Sequence, residues 1–163
     1  MPASLTRRSA SAGVLALLLA MNLGTPEPLG AQTPAERQQA ADAAFHNDWA
    51  NLNYYRARNL ALGDPKPGQA RVVFMGNSIT EGWAPRFPAM FPGKPYIGRG
   101  ISGQTTPQMV VRFHQDVVAL HPAVVVILGG TNDIAGNTGP STLEMIEDNL
   151  RAMTEVAQAN RIK

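Results

Sequence analysis

VVFMGNSITEGW, residues Val72 to Trp83, is the stretch on which the fold turns. Arg71 to Met75 is short, β-branched and apolar on both faces, as a parallel strand covered by helices requires. It runs straight into Gly76-Asn77-Ser78, and a helix-compatible run follows. A buried strand that ends on a glycine, an amide and a hydroxyl makes an ordinary turn, a phosphate cradle or a serine presented as a nucleophile. The rest of the chain decides between them.

Downstream, the Pro92-Gly93-Lys94-Pro95 turn leads into Tyr96 to Ile101, a weaker strand candidate. Thr106-Pro107 opens a helix with Met109, Val110, Phe113, Val117 and Leu120 on its inner side. Ala123 to Leu128 (AVVVIL) is the clearest strand in the sequence, and Gly129-Gly130-Thr131-Asn132-Asp133 follows it. After a loop containing Gly136, Gly139 and Pro140, Ser141 with Glu144 makes a capping box. Leu143, Ile146, Leu150, Met153 and Ala157 then give the last helix its apolar stripe.

Upstream, Thr33 caps a helix, Pro34 suits its first turn and Glu36 completes a capping box. Phe45, Trp49, Leu52 and Tyr55 recur at helical steps, so one helix is expected to run to about Leu62. Gly63-Asp64-Pro65-Lys66-Pro67-Gly68 breaks the chain. The organisation expected is a helix and linker over residues 32–68 and a domain over residues 69–163.

Alternating strands and helices predict a doubly wound α/β domain with right-handed crossovers. In such sheets ligands lie at the carboxyl ends of the strands. Those ends carry Gly76-Asn77-Ser78, Gly100-Ile101-Ser102-Gly103 and Gly130-Thr131-Asn132-Asp133. Three small, polar loops thus fall on one edge.

The bulk composition narrows the function. The first 31 of 163 residues read as a signal peptide. Arg7-Arg8 is the basic start, Val14 to Leu23 is the apolar run, and Leu29-Gly30-Ala31 is a small-residue cleavage site. The apolar run falls short of the ~20 residues that span a bilayer. An exported protein without stable membrane insertion is expected. The remainder holds 12 Lys+Arg against 11 Asp+Glu, with no basic cluster, so nucleic acid is not an expected partner. The absence of cysteine excludes disulfides and thiolate metal sites.

Acyl transfer fits the three loops. It needs an exposed hydroxyl and donors aimed at the oxygen that becomes negative, each worth roughly 10²–10³ in rate. The candidates are the Ser78 N–H, the Gly103 N–H and the Asn132 side-chain amide. A phosphate cradle fits poorly: neither Gly-x-x-x-x-Gly-Lys nor Gly-x-Gly-x-x-Gly follows the first strand, and Gly98-Arg99-Gly100 opens no dinucleotide motif.

FMGNSIT (Phe74–Thr80), GRGISGQTT (Gly98–Thr106) and ILGGTND (Ile127–Asp133) resemble the blocks of the SGNH (GDSL-type) hydrolases, in the family's order. The resemblance covers roughly Arg71 to Leu150. It implies a flavodoxin-like three-layer sandwich around a central parallel sheet. It also implies an esterase that cleaves small-molecule or carbohydrate esters without metal or other cofactor. Ser78 would be the nucleophile, and the Ser78 N–H, Gly103 and Asn132 would form the oxyanion hole.

Two departures stand out. Asn77 replaces the family's usual Asp, a mild change because either side chain makes similar turn hydrogen bonds. The family's late Asp-x-x-His, which supplies the general base, has no counterpart here. His121 precedes a strand at the wrong end of the sheet; five or six residues at about 3.3 Å each put it roughly 17–20 Å from the catalytic edge. His114 lies on the helix descending to that same end, and His46 lies on the first helix. Asp133 orders its own loop, and Asp116 offers no base. Gln158 to Lys163 reads as a helix giving way to another strand, so the expectation is an incomplete chain of a longer protein with the base in the remainder. The competing expectation is a catalytically inactive carbohydrate- or partner-binding module. Trp83, Phe87, Met90 and Phe91 are expected to pack locally, and Arg86 and Arg99 to be solvated.

Overall fold

Three parallel strands make up the sheet in the computed structural model, which describes residues 33–163. They are β1 (Val72–Gly76), β2 (Tyr96–Gly100) and β3 (Val124–Leu128), in the order β2-β1-β3. The signal-peptide reading of residues 1–31 lies outside the described residues. The helices in chain order are α1 (Pro34–Asn47), α2 (Arg56–Leu62), α3 (Ser78–Trp83), α4 (Phe87–Met90), α5 (Thr106–Asp116), α6 (Thr131–Ile134) and α7 (Leu143–Ala159). Short 3₁₀ turns at Ala84–Arg86 and Val118–Leu120 join two of them to their neighbours. No described helix is long and apolar enough to cross a membrane.

The period-two alternation of β1 divides its side chains between two layers. Val73 and Met75 point to one side and are fully buried among Met109, Phe113, Val117, Met153 and Ala157, from α5, its C-cap and α7. Phe74 points to the other side, into a group of rings from Trp83, Phe87, Phe91 and Tyr96, with centroids 4.7 Å from Phe87 and 5.6 Å from Trp83. Trp83 and Phe87 therefore pack locally, as expected. The result is an α/β sandwich with helices on both faces of a parallel sheet.

On the α3 face the strands carry glycine where α3 comes closest. Gly76 and Gly100 are register partners, as are Phe74 and Gly98. A Cβ on Gly100 would lie 2.2 Å from the Glu81 backbone nitrogen; one on Gly76 would lie 2.1 Å from Thr80 Oγ1; and one on Gly98 would lie 2.2 Å from the Ala84 Cβ. The Gly98-Arg99-Gly100 pattern is thus a packing device that lets α3 lie directly on the sheet. On the same face β3 is less covered: Val126 and Leu128 are 43% and 39% exposed. The outer edge of β3 is met by Lys163, whose carbonyl accepts from Val125 N–H at 2.8 Å and whose N–H donates to Ala123 O at 3.1 Å.

Three expectations need correction. The helix expected from Thr33 to Leu62 is two helices with a turn over residues 48–55. Asp48 accepts from the Leu52 and Asn53 N–H groups at 2.7 and 3.0 Å, and Asn51 takes a left-handed φ of 54°. The carbonyls of Trp49, Ala50 and Leu52 accept from the side-chain amides of Gln108, Gln104 and Gln115 at 2.6, 2.8 and 2.6 Å. Tertiary hydrogen bonds replace those a continuous helix would make. The cap of α7 is Thr142, which accepts from Met145 N–H, because the helix starts one residue later than a Ser141–Glu144 box requires. Arg99, expected in solvent, is 5% exposed; it donates to Asn59 Oδ1 at 2.8 Å and lies 4.7 Å over the Tyr55 ring.

A buried ion pair ties these layers together. Arg112 and Asp116, one turn apart on α5, meet at 2.9 Å with both side chains fully buried. Arg112 also donates to Gln104 Oε1 at 2.5 Å and to the Gly76 carbonyl at 2.9 Å. Asp116 accepts from Asn59 of α2 at 2.7 Å. Every buried side-chain nitrogen and oxygen among the described residues has a partner.

Two stability predictions arise. Gly100→Ala costs about 3 kcal/mol, the upper part of the overpacking range, because the obstacle is backbone. Gly82→Ala, which has open space around it, is neutral or stabilising by about 0.5–1 kcal/mol through helix propensity. Equal urea midpoints for the two variants would contradict this account. Arg112→Met costs about 3–5 kcal/mol because it strands Asp116 as a buried charge, and adding Asp116→Leu recovers much of the loss. A loss under about 1 kcal/mol in the single variant would remove the pair from its central place.

Candidate active site

The site begins where β1 ends. Asn77 is 1% exposed and caps α3: its Oδ1 accepts from the Ile79 N–H at 3.1 Å, and its Nδ2 donates to Thr131 Oγ1 at 2.9 Å. The first contact is the Asx turn that lifts the chain off the strand into the helix. The second joins the loop after β1 to the loop after β3. Asn77 therefore replaces a carboxylate without leaving a group unsatisfied. Ser78, the first residue of α3, is exposed, and its N–H belongs to a first helical turn whose amides lack intrahelical partners.

The loop after β2 is fastened on both sides. The Ile101 N–H donates to the Gly76 carbonyl at 3.1 Å. Gln104 is 1% exposed and held by Arg112 and by the Ala50 carbonyl. Between them, Gly103 has a φ of 77°, a left-handed conformation that glycine adopts without strain. The Gly103 carbonyl accepts from Asn137 Nδ2 at 2.9 Å. Among the described residues the Gly103 N–H has no hydrogen-bond partner.

Asn132 sits in α6, directly after β3, and is half-buried. One of its Nδ2 hydrogens goes to the Gln104 carbonyl at 2.8 Å, which leaves the other for a ligand. Asp133 beside it is 2% exposed and accepts from the Thr106 N–H at 3.0 Å and the Thr106 hydroxyl at 2.5 Å. Asn149 of α7 donates in turn to that hydroxyl at 3.0 Å. Asp133 thus pins the loop carrying Asn132 to the start of α5. Ser78, Gly103 and Asn132 lie on three loops hydrogen-bonded to one another at the carboxyl edge of the sheet.

The histidines lie elsewhere. His121 is exposed beside Asp64, 2.8 Å away, just before β3 and so at the amino edge. His114 lines a cleft with His121, Pro122 and Ile162 at that edge, and His46 is exposed in α1. Among the described residues no histidine hydrogen-bonds to Ser78, and no group of three or more His, Cys, Asp or Glu side chains is arranged to hold a metal.

Sequence reasoning missed a second cluster at this edge. Glu81, one turn after Ser78, accepts from the Tyr54 hydroxyl and from both the N–H and the hydroxyl of Ser102. Burial opposes ionisation of Glu81, yet the hydrogen bonds from Ser102 and Tyr54 outweigh it and hold the carboxyl below its ordinary range. Its hydrogen bond to Glu81 is the main cause pushing the Tyr54 phenol up. The neighbouring Tyr55 donates to the Gly100 carbonyl at 2.5 Å, and burial above all pushes its phenol up to about 12. The available signal was the spacing of Glu81 from Ser78 on a short helix, which names no partner by itself.

Comparison with known proteins bears on this arrangement. The profile of the GDSL-like lipase/acylhydrolase family matches residues 74–163. The crystal structure of a Bacteroides fragilis protein described as an acylhydrolase is 52% identical with a TM-score of 0.69, covering 72% of this chain and 56% of its own. A GDSL-like lipase from Bacteroides thetaiotaomicron is 50% identical with a TM-score of 0.68, covering 71% of this chain and 57% of its own. An acetyl xylan esterase is 25% identical with a TM-score of 0.51, covering 57% of this chain and 55% of its own. The chain therefore spans little more than half the length of these structures. No curated protein matches it. On the family profile and on the shared fold of two structures half identical to it, this chain belongs to the GDSL-like lipase/acylhydrolase family.

Proposed function

We propose that the protein is a serine esterase that cleaves short-chain acyl esters, with carbohydrate O-acetyl groups as the substrate class. One observation carries the reading: an exposed serine, a partnerless glycine N–H and a half-used asparagine amide converge on one edge, and their supports are all satisfied. The Ser78 oxygen attacks the acyl carbon. The carbonyl oxygen takes the negative charge and accepts from the Ser78 N–H, the Gly103 N–H and Asn132 Nδ2. The serine proton passes to solvent water, which returns a proton to the alcohol as the tetrahedral species collapses and the alcohol leaves. Water then repeats the sequence on the acyl-enzyme and releases the acid and free Ser78.

A small acyl group suits the site because Ser78 and Gly103 are both solvent-exposed. The acetyl xylan esterase among the similar structures favours a carbohydrate alcohol. With residues 1–31 read as a cleaved signal, the proposed place of action is the periplasm or the cell exterior. Because no described histidine sits beside Ser78, turnover by this chain rests on oxyanion stabilisation and is slow, as in enzymes that have lost one member of a triad.

A fluorophosphonate probe tests the reading, since only an activated serine is labelled. Wild type takes the label on Ser78 slowly, at a rate set by oxyanion stabilisation alone, and Ser78→Ala takes none. Asn132→Ala lowers kcat on p-nitrophenyl acetate by about 10²-fold, the worth of one oxyanion donor. Asn77→Asp stays within about threefold, because a carboxylate accepts from both Ile79 N–H and the Thr131 hydroxyl. A wild type that binds acetylated oligosaccharides but takes no label supports the binding-module reading instead.

A further inference from the structure

The cluster around Glu81 joins three segments of the chain: α3, the loop after β2 and the turn over residues 48–55. Glu81 belongs to α3, the helix that begins with Ser78. Its Oε2 accepts from the Ser102 N–H at 2.8 Å and from the Ser102 hydroxyl, and Ser102 directly precedes Gly103. Its Oε1 accepts from the Tyr54 hydroxyl. Tyr54 is itself seated: its ring meets Tyr55 edge-on with centroids 4.8 Å apart, and the Tyr55 hydroxyl is bonded to the last carbonyl of β2. Arg58 lies over the Tyr54 ring, 5.4 Å from its centroid.

The chemistry of the acceptor matters. Three donors converge on Glu81, and only an ionised carboxylate offers lone pairs to all of them without a competing hydrogen. Ser102 and Gly103 form the exposed tip of their loop, and Gly103 sits in the left-handed region, where glycine has the widest choice of alternatives. Ile101 and Gln104 fix the base of the loop, and Asn137 holds the Gly103 carbonyl. The peptide that presents the Gly103 N–H is held from its Ser102 side by Glu81.

We infer that Glu81 is a positioning residue that, braced by Tyr54, fixes the Ser102–Gly103 peptide relative to Ser78 so that the Gly103 N–H faces the developing oxyanion. The inference rests on the esterase reading for its catalytic part and on the geometry alone for its structural part. It also gives residues 48–62 a role at the active edge, because Tyr54 reaches Glu81 from there.

Hydrogen exchange of individual amides in the full chain, read by NMR beside steady-state hydrolysis of p-nitrophenyl acetate, tests it. In Glu81→Ala the Ser102 amide, which loses its acceptor, exchanges at least about tenfold faster while those of β1 and α5 keep their rates. In the same variant kcat falls about tenfold and KM changes less than about twofold, since a small misplacement harms the transition state more than ground-state binding. Glu81→Gln restores both to within about threefold, because its carbonyl still accepts from Ser102 and its amide donates to the Tyr54 oxygen. Tyr54→Phe, at an exposed position, gives the same changes at smaller size and serves if Glu81→Ala does not fold. Unchanged exchange at Ser102 overturns the inference, as does faster exchange with unchanged kcat. A wild type that neither hydrolyses the ester nor labels on Ser78 overturns the esterase reading, and the clamp then stands or falls on the exchange rates alone.

Discussion

A guanidinium with no access to water must have its charge and its donors answered from inside the protein, and Arg112 sets that condition for the rest of this structure. Its planar fork is rigid, so whatever it bonds to is fixed in direction as well as distance. Here it reaches the carbonyl two residues before Ser78, the side chain one residue after Gly103, and the carboxylate of Asp116. The turn after β1 and the loop after β2 are therefore referenced to a single group on α5. The cost of burying the charge is offset only while all partners are present, so the two loops and α5 keep their geometry together or lose it together.

The sheet was legible because its strands obey local rules. Val72 to Gly76 and Val124 to Leu128 are apolar runs bounded by turn residues, and their carboxyl ends carry the small, polar loops that a doubly wound sheet uses for ligands. Thr33 with Glu36 caps α1, a role readable from residue type and spacing. Long-range polar contacts were not legible. The break between α1 and α2 depends on Gln104, Gln108 and Gln115, which lie 54 to 63 residues beyond the carbonyls they meet. Arg99 reads as a surface residue until Tyr55 and Asn59 are brought to it, and Arg112 gives no sign in sequence of where its donors go.

The glycines of β2 show how one sequence pattern serves different ends. A Gly-x-Gly after a strand suggests a nucleotide, but here Gly98 and Gly100 lie within the strand and face α3. With Gly76 they remove the side chains that would otherwise separate helix from sheet, so the serine helix rests on backbone. Asn77 works in the same small space, capping that helix with one atom and holding the neighbouring loop with another. Position at this edge is set by short, stiff contacts, which preorganised donors require.

The docking of residues 48–62 has a consequence for how the chain is made. Synthesis releases this segment first, long before the glutamines that satisfy its carbonyls exist. It waits, hydrated, until α5 has been made and has packed. Closing such distant contacts carries an entropy cost that earlier, local structure does not repay. Tyr54 and Tyr55 find Glu81 and Gly100 sooner, but the turn that carries them stays unfastened until the glutamines of α5 and its approach arrive. A half-made chain holds a serine without its frame, and the hydroxyl gains its surroundings only when α5 has closed onto the turn over residues 48–55.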